Sequence, residues 1–188
     1  MKRRHIVFLL ALSGAALLAQ AGWYSAKATL AQWILPGAYR AMLNDGAPVR
    51  PWPWADTRVS GRLQFGTQTT LYVMEGGSGE AMAFGPARLN PKMQDVVVIG
   101  GHRDTHMGFL GDVHIGDEIR LTLADGKTRV YRFAQIEIAD TQRDQLLVEA
   151  DRPGLVLITC YPLQTLRAGG TQRLIAIALP VEATAQQS

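Results

Sequence analysis

The sequence predicts a mostly β fold: a closed or nearly closed barrel of about seven to eight strands with short helices, preceded by an N-terminal membrane-anchor helix. Two observations predict the barrel. From Arg58 onward, short apolar stretches alternate with Gly, Pro, Asn and Asp, as strands alternate with turns. Among them, Ala124-Asp125-Gly126-Lys127 carries the Asp-Gly signal of a tight hairpin. A third observation predicts the anchor: Lys2, Arg3 and Arg4 precede an uncharged run from Ile6 to Ala19.

Extended through Gln20 to Gly22, that run has 17 residues, about the least that crosses a bilayer as a helix. The basic flank places the N-terminus in the cytoplasm, and Trp23-Tyr24 suits the opposite interface. Ala19-Gln20-Ala21 also matches a small-x-small cleavage site, so a removed signal peptide is the alternative. Both readings export the chain beyond Trp23. Ser25 to Leu43 carries apolar residues at roughly helical spacing, broken by Leu35-Pro36-Gly37, and reads as a stalk or a helix with a kink that ends at Asn44-Asp45-Gly46. Pro48 to Trp54 cannot be regular structure and marks the boundary to the main domain, on which Trp52 and Trp54 are expected to dock. The expected division is therefore an anchor over 1–24, a stalk helix and Pro/Trp linker over 25–53, the barrel over 54–181, and a polar tail over 182–188.

Within the barrel, strands are expected near Arg58–Leu63, Thr69–Met74, Asp95–Ile99, Glu118–Leu123, Thr128–Ala139, Leu155–Thr159 and Arg173–Leu179. Ala81–Leu89 reads as a short helix or turn, and Thr141–Glu149 as a short helix or long loop. The chain's 188 residues suit one domain and an appendage, and 47% hydrophobic content is enough for a core. Lys and Arg number 19 against 16 acids, and the N-terminal cluster holds the whole excess. A balanced body gives no electrostatic case for nucleic acid.

Chemistry centres on the single cysteine. An exported chain normally carries structural cysteines in pairs, so Cys160, alone where the apolar run Leu155–Thr159 stops, is an inert thiol, an intermolecular link or a reactive group. Two other strand ends look similar. Val96-Val97-Val98-Ile99 runs into Gly100-Gly101-His102-Arg103-Asp104, and Arg173 begins the last strand. A thiol is a few per cent thiolate at neutral pH and gains from an imidazole that takes its proton and later protonates a leaving amine. A guanidinium stays charged and can donate to the oxygen that turns negative when a carbonyl is attacked. The glycines before His102 suit a sharp exit from the strand with room for a peptide.

These residues resemble the sortases, cysteine transpeptidases of bacterial surfaces. Val156-Leu157-Ile158-Thr159-Cys160 is similar to their Thr-Leu-x-Thr-Cys signature with Val in the first place. Gly101-His102-Arg103-Asp104 resembles the histidine motif, and Arg173 stands 13 residues after Cys160, as their arginine does. Phe109 to Val113 and Gly116-Asp117-Glu118 resemble the segment after the histidine. The likeness extends from Trp54 to Leu179 and is greatest to the sortases of Gram-negative bacteria. It implies catalytic residues His102, Cys160 and Arg173, with Thr159, Tyr161 and Arg167 as candidate substrate contacts. It implies cleavage of a C-terminal sorting signal of an exported protein through a Cys160 thioester, then transfer to an amine acceptor at the cell surface. No metal or organic cofactor is required for this chemistry. The expected location is the cytoplasmic (inner) membrane, single-pass, with the catalytic domain on the periplasmic side.

Other readings remain open at this level. His102-x-x-x-His106 with Cys160 could ligate zinc, although that spacing suits a helix and these residues leave a strand. His106 and His114 otherwise read as surface or supporting residues, and Phe109 and Leu110 as core. Another exported cysteine peptidase would use the same nucleophile. A peptidoglycan L,D-transpeptidase would have Gly before its cysteine and Arg after it, where Thr159 and Tyr161 stand. A non-catalytic assembly module would bury the thiol. The topology is testable directly: protease added to spheroplasts is expected to reach the main domain while the mature N-terminus still includes Lys2. A mature chain beginning at Gly22 would defeat the anchor reading.

Overall fold

The computed structural model describes residues 33–89, 95–144, 153–165 and 169–181, with His5, Gly14 and Lys92 as isolated positions. The rest of the anchor segment, most of the 141–149 connection, Arg167 and the tail lie outside the described residues. Among the described residues no helix is long and apolar enough to cross a membrane.

Eight strands close a barrel: β1 (Val59–Phe65), β2 (Thr69–Glu75), β3 (Ala87–Arg88), β4 (Val96–Gly100), β5 (Glu118–Leu123), β6 (Thr128–Asp140), β7 (Gly154–Cys160) and β8 (Gln172–Pro180). The spatial order is β1-β2-β3-β4-β7-β8-β6-β5, and β5 returns antiparallel to β1. Most pairs are antiparallel. The exceptions are β2 with β3 and, more consequentially, β4 with β7.

Strand composition explains the layering. Every residue of β4, Val-Val-Val-Ile-Gly, is buried, as an apolar run paired in parallel must be. The period of two divides β4, β7 and β8 between faces. Val97, Ile99, Leu155, Leu157, Leu174 and Ala176 join Phe133, Ile119 and Leu121 inside the barrel. Val96, Val98, Val156 and Ile175 form a separate cluster on the opposite face. At Gly61, where β1 is wedged against β5, an added Cβ would sit 2.7 Å from the Thr122 carbonyl oxygen, so only glycine permits that approach.

Two local expectations change. The chain over Ala81–Leu89 is helical only as α2 (Gly79–Phe84), capped by the Ser78 hydroxyl, which accepts from the Ala81 N–H. Gly85 then lies so close to β2 that a Cβ would meet the Tyr72 carbonyl oxygen at 2.3 Å, and the chain continues as β3. A two-residue strand has no alternation to betray it. Ahead of the barrel, residues 33–45 form a helix, α1, that continues through Pro36 and Gly37. Burial of Leu35, Ala38, Tyr39 and Met42 against Val59, Met74, Ala81 and Ala87 outweighs the local cost of those two residues. The helix ends where expected: Gly46, at φ +67°, donates its N–H to the Met42 oxygen at 3.0 Å. Of the linker tryptophans, Trp52 packs edge-on to Phe84 at 5.0 Å, whereas Trp54 stays 80% exposed.

Phe133 is the largest fully buried side chain among the described residues and meets Phe65 across the core. Phe133→Ala is expected to cost about 3–5 kcal/mol, read as a lower midpoint in denaturant unfolding at unchanged m-value. A loss below about 1 kcal/mol would place Phe133 outside the cooperative core.

Candidate active site

The parallel pairing of β4 and β7 sends both C-terminal ends to the same rim. Their register pairs Gly100 with Ile158. Just past it, the Gly101 N–H donates to the Ile158 oxygen at 3.2 Å, and the Thr159 hydroxyl donates to the Gly101 oxygen at 2.8 Å. Carried two residues beyond its last pair, this register brings His102 level with Cys160. On the other side of β7, the antiparallel ladder with β8 sets Cys160 directly opposite Arg173.

The faces agree as well as the levels. Cys160 follows Val156 and Ile158 in the two-residue period, and Arg173 precedes Ile175 and Ile177, so both side chains belong to the face away from the barrel core. Cβ atoms of directly opposed antiparallel residues lie about 4.5–5.5 Å apart. Cys160 is half-buried and His102 exposed. Arg173 Nη1 donates to the oxygens of Gly170 at 2.7 Å and Gln172 at 2.8 Å, which lay the guanidinium along the approach to β8. Among the described residues no carboxylate forms a salt bridge with Arg173, and its guanidinium is oriented by backbone dipoles. Cys160 and Arg173 therefore face each other at the rim toward which the chain at His102 also runs: a thiol and a guanidinium with no carboxylate salt-bridged to it among the described residues, and an imidazole on the adjoining segment.

Comparison with known proteins gives the family. Residues 65–181 match the family model described as the Sortase domain. The chain belongs to the sortase family.

Among curated proteins, Sortase D of Bacillus subtilis (strain 168) is 32% identical over 73 residues, which is 38% of this chain and 36% of that protein. The aligned part thus spans just over a third of that relative's length. Among solved structures, Sortase A from Corynebacterium diphtheriae superposes with a TM-score of 0.60 at 23% identity, covering 71% of this chain and 66% of that one. The pilus-related Sortase C of Group B Streptococcus gives 0.56 at 21%, covering 66% and 68%. Sortase A of Listeria monocytogenes gives 0.57 at 19%, covering 66% and 88%. At these identities the structural likeness speaks for the fold: the barrel is that of a sortase.

The remaining candidates take different places in this sortase. Thr159, 2% exposed, turns its hydroxyl inward to Gly101, so it holds the frame and offers no side-chain surface to a ligand. Tyr161 leaves β7 half-buried against the core, its N–H donating to the Gln172 oxygen at 3.0 Å. Arg167 lies outside the described residues. The glycines ahead of His102 leave no open space. A Cβ on Gly100 would meet Leu89 at 2.9 Å, and one on Gly101 would meet Met107 at 3.0 Å. Neither has a left-handed φ, so close packing, rather than backbone freedom or room for a peptide, explains both. Among the described residues no three of His, Cys, Asp and Glu gather as metal ligands.

Two residues near His102 have roles that their sequence positions do not disclose. Arg103 is 8% exposed and donates to the oxygens of Pro162 and Thr165 beyond the cysteine. Only its place next to His102 could have drawn attention to it, because burial of a cation is invisible in sequence. His106 is half-buried with its imidazole pKa lowered. Burial is the main cause, and the neighbouring His102 acts the same way. Hydrogen bonds with backbone at Ala83 and Met82 in α2 oppose both. His114, by contrast, is an exposed residue near Asp117.

The His106 shift carries a sign. An imidazole buried neutral contributes stability that is present above its unfolded pKa near 6.5 and is lost as pH falls through its lower folded value. Chemical denaturation at a series of pH values is expected to show stability declining below pH 6.5, and His106→Gln is expected to flatten that decline. Equal slopes in both proteins would remove His106 as the cause.

Proposed function

We propose that the outer rim of the barrel performs two-step acyl transfer with Cys160 as nucleophile. The observation that carries this is the direct opposition of Cys160 and Arg173 on one face, with His102 brought level by the β4–β7 register. The Cys160 sulfur attacks the carbonyl carbon of a substrate peptide bond after its proton passes to His102. The carbonyl oxygen becomes negative and is met by the Arg173 guanidinium. Collapse of the tetrahedral adduct breaks the C–N bond, His102 returns the proton to the departing amine, and a thioester remains on Cys160. A second amine then attacks the thioester carbonyl, gives its proton to His102, and leaves as a new amide while the thiol is restored. Water in place of that amine makes the reaction hydrolysis.

The substrate in this reading is the C-terminal sorting signal of an exported protein, and the acceptor is an amine at the cell surface. Tyr161 and Arg167, in the segment after the nucleophile, are the candidate substrate contacts. The Lys2-Arg3-Arg4 cluster and the apolar run behind it support a single-pass tether with the barrel outside the cytoplasmic membrane.

A series of variants tests the roles. Cys160→Ala is expected to abolish transfer with the fold intact, and retained activity would end this reading. His102→Ala is expected to lower kcat/KM by roughly 10²–10⁴-fold, the range for general acid–base catalysis. Arg173→Ala is expected to cost about 10²–10³-fold, as for one oxyanion donor, and Arg173→Lys to recover only part because it lacks the planar fork. Arg167→Ala, run beside them, is expected to cost little. A crippled Arg167→Ala beside a mild Arg173→Ala would move the oxyanion role to Arg167.

A further inference from the structure

The ladder hydrogen bonds between β4 and β7 stop at the rim, yet both reactive residues sit beyond or at the last rung. His102 lies past the end of β4, and Cys160 is the final residue of β7. An exposed imidazole on a departing loop has nothing in β4 itself to keep it beside the thiol. On the barrel side, the two segments are joined by Gly101 to Ile158 and by Thr159 to Gly101. On the far side, beyond each reactive group, they are joined again. The Arg103 guanidinium donates from Nη1 to the Pro162 oxygen at 3.0 Å and from Nη2 to the Thr165 oxygen at 3.3 Å. Its Nε lies 3.4 Å from Asp104 Oδ1, which keeps the fork oriented. The loop carrying Arg103 is itself closed, since the His106 and Met107 N–H groups both donate to the His102 oxygen at 3.1 and 3.0 Å. Leu163 adds an apolar contact against Gly111, where a Cβ would meet it at 3.1 Å.

We propose that Arg103 is a positioning residue: its buried guanidinium fastens the segment after Cys160 to the segment after His102 and so holds imidazole and thiol in reacting register. Each reactive residue is thereby bracketed by cross-links to the other's strand, Thr159–Gly101 before it and Arg103 to Pro162 and Thr165 after it. A guanidinium suits this place because its planar fork reaches two carbonyl oxygens of an irregular loop from one side chain. Lysine, with a single ammonium, cannot reproduce both directions. The proposal rests on the assignment of His102 and Cys160 as the reacting pair.

The test reads that pair without needing the substrate. The rate of Cys160 alkylation by iodoacetamide is measured in the wild-type chain, His102→Ala, Arg103→Met and the double variant, below the unfolding temperature of each. His102→Ala is expected to change the rate in the wild-type background, and to change it about threefold less or smaller still once Arg103 is gone, a coupling of the size found within one hydrogen-bonded network. Arg103→Lys is expected to fall between the two. Hydrogen exchange at residues 163–165 is expected to rise in Arg103→Met and partly recover in Arg103→Lys. A merely structural arginine would lower stability without altering the His102 dependence of alkylation. Equal His102 effects in both backgrounds overturn the proposal while leaving the catalytic reading intact. No His102 effect in the wild-type chain overturns both. If Arg103→Met fails to fold, Arg103→Lys carries the same comparison, and an unchanged His102 effect there is equally decisive against the proposal.

Discussion

The site depends on one constraint, the parallel register of β4 and β7 inside a closed barrel. Parallel strands deliver both C-terminal ends to one rim, which antiparallel neighbours cannot do. Closure removes free edges, so neither strand can slide without disturbing the whole circuit. Slippage by a single residue would exchange the faces of β7, carrying Cys160 into the core and Thr159 out to the rim. The register is fixed by the apolar pattern itself, because Leu155 and Leu157 must face inward with Val97 and Ile99. Packing energy in the core thus sets the level of a thiol that takes no part in the core.

Beyond the last rung the same job passes to polar contacts. Thr159 and Arg103 are among the few polar or charged side chains buried in the described structure, and both bond across the gap between the histidine and cysteine segments. Burying a hydroxyl or a guanidinium is costly unless its donors are met. Here they are met by the backbone oxygens of Gly101, Pro162 and Thr165. Arg173 is treated in the opposite manner. Backbone oxygens orient it, but no described carboxylate forms a salt bridge with it, which leaves its charge available at the rim. Two arginines of one site are thus distinguished by what holds them: one anchors loops, the other faces outward.

The sequence by itself determined a barrel of seven to eight strands, most strand positions, and the three residues at the rim. Strands of alternating or continuous apolar residues leave a periodic trace, and a lone cysteine, a histidine and an arginine at strand ends are visible wherever they fall. Tertiary structure decided what has no local trace. The two-residue β3 exists only because β2 and β4 offer it partners, and α1 continues through Pro36-Gly37 only because its apolar face finds Val59 and Met74. The inward turn of Thr159, the packing role of Gly100 and Gly101, and the burial of Arg103 likewise follow from neighbours distant in the chain. Pro162 and Thr165 are 59 and 62 residues from Arg103. A pattern of residue types reports what a segment prefers, whereas burial and hydrogen-bond partners depend on which segments the closed barrel brings together.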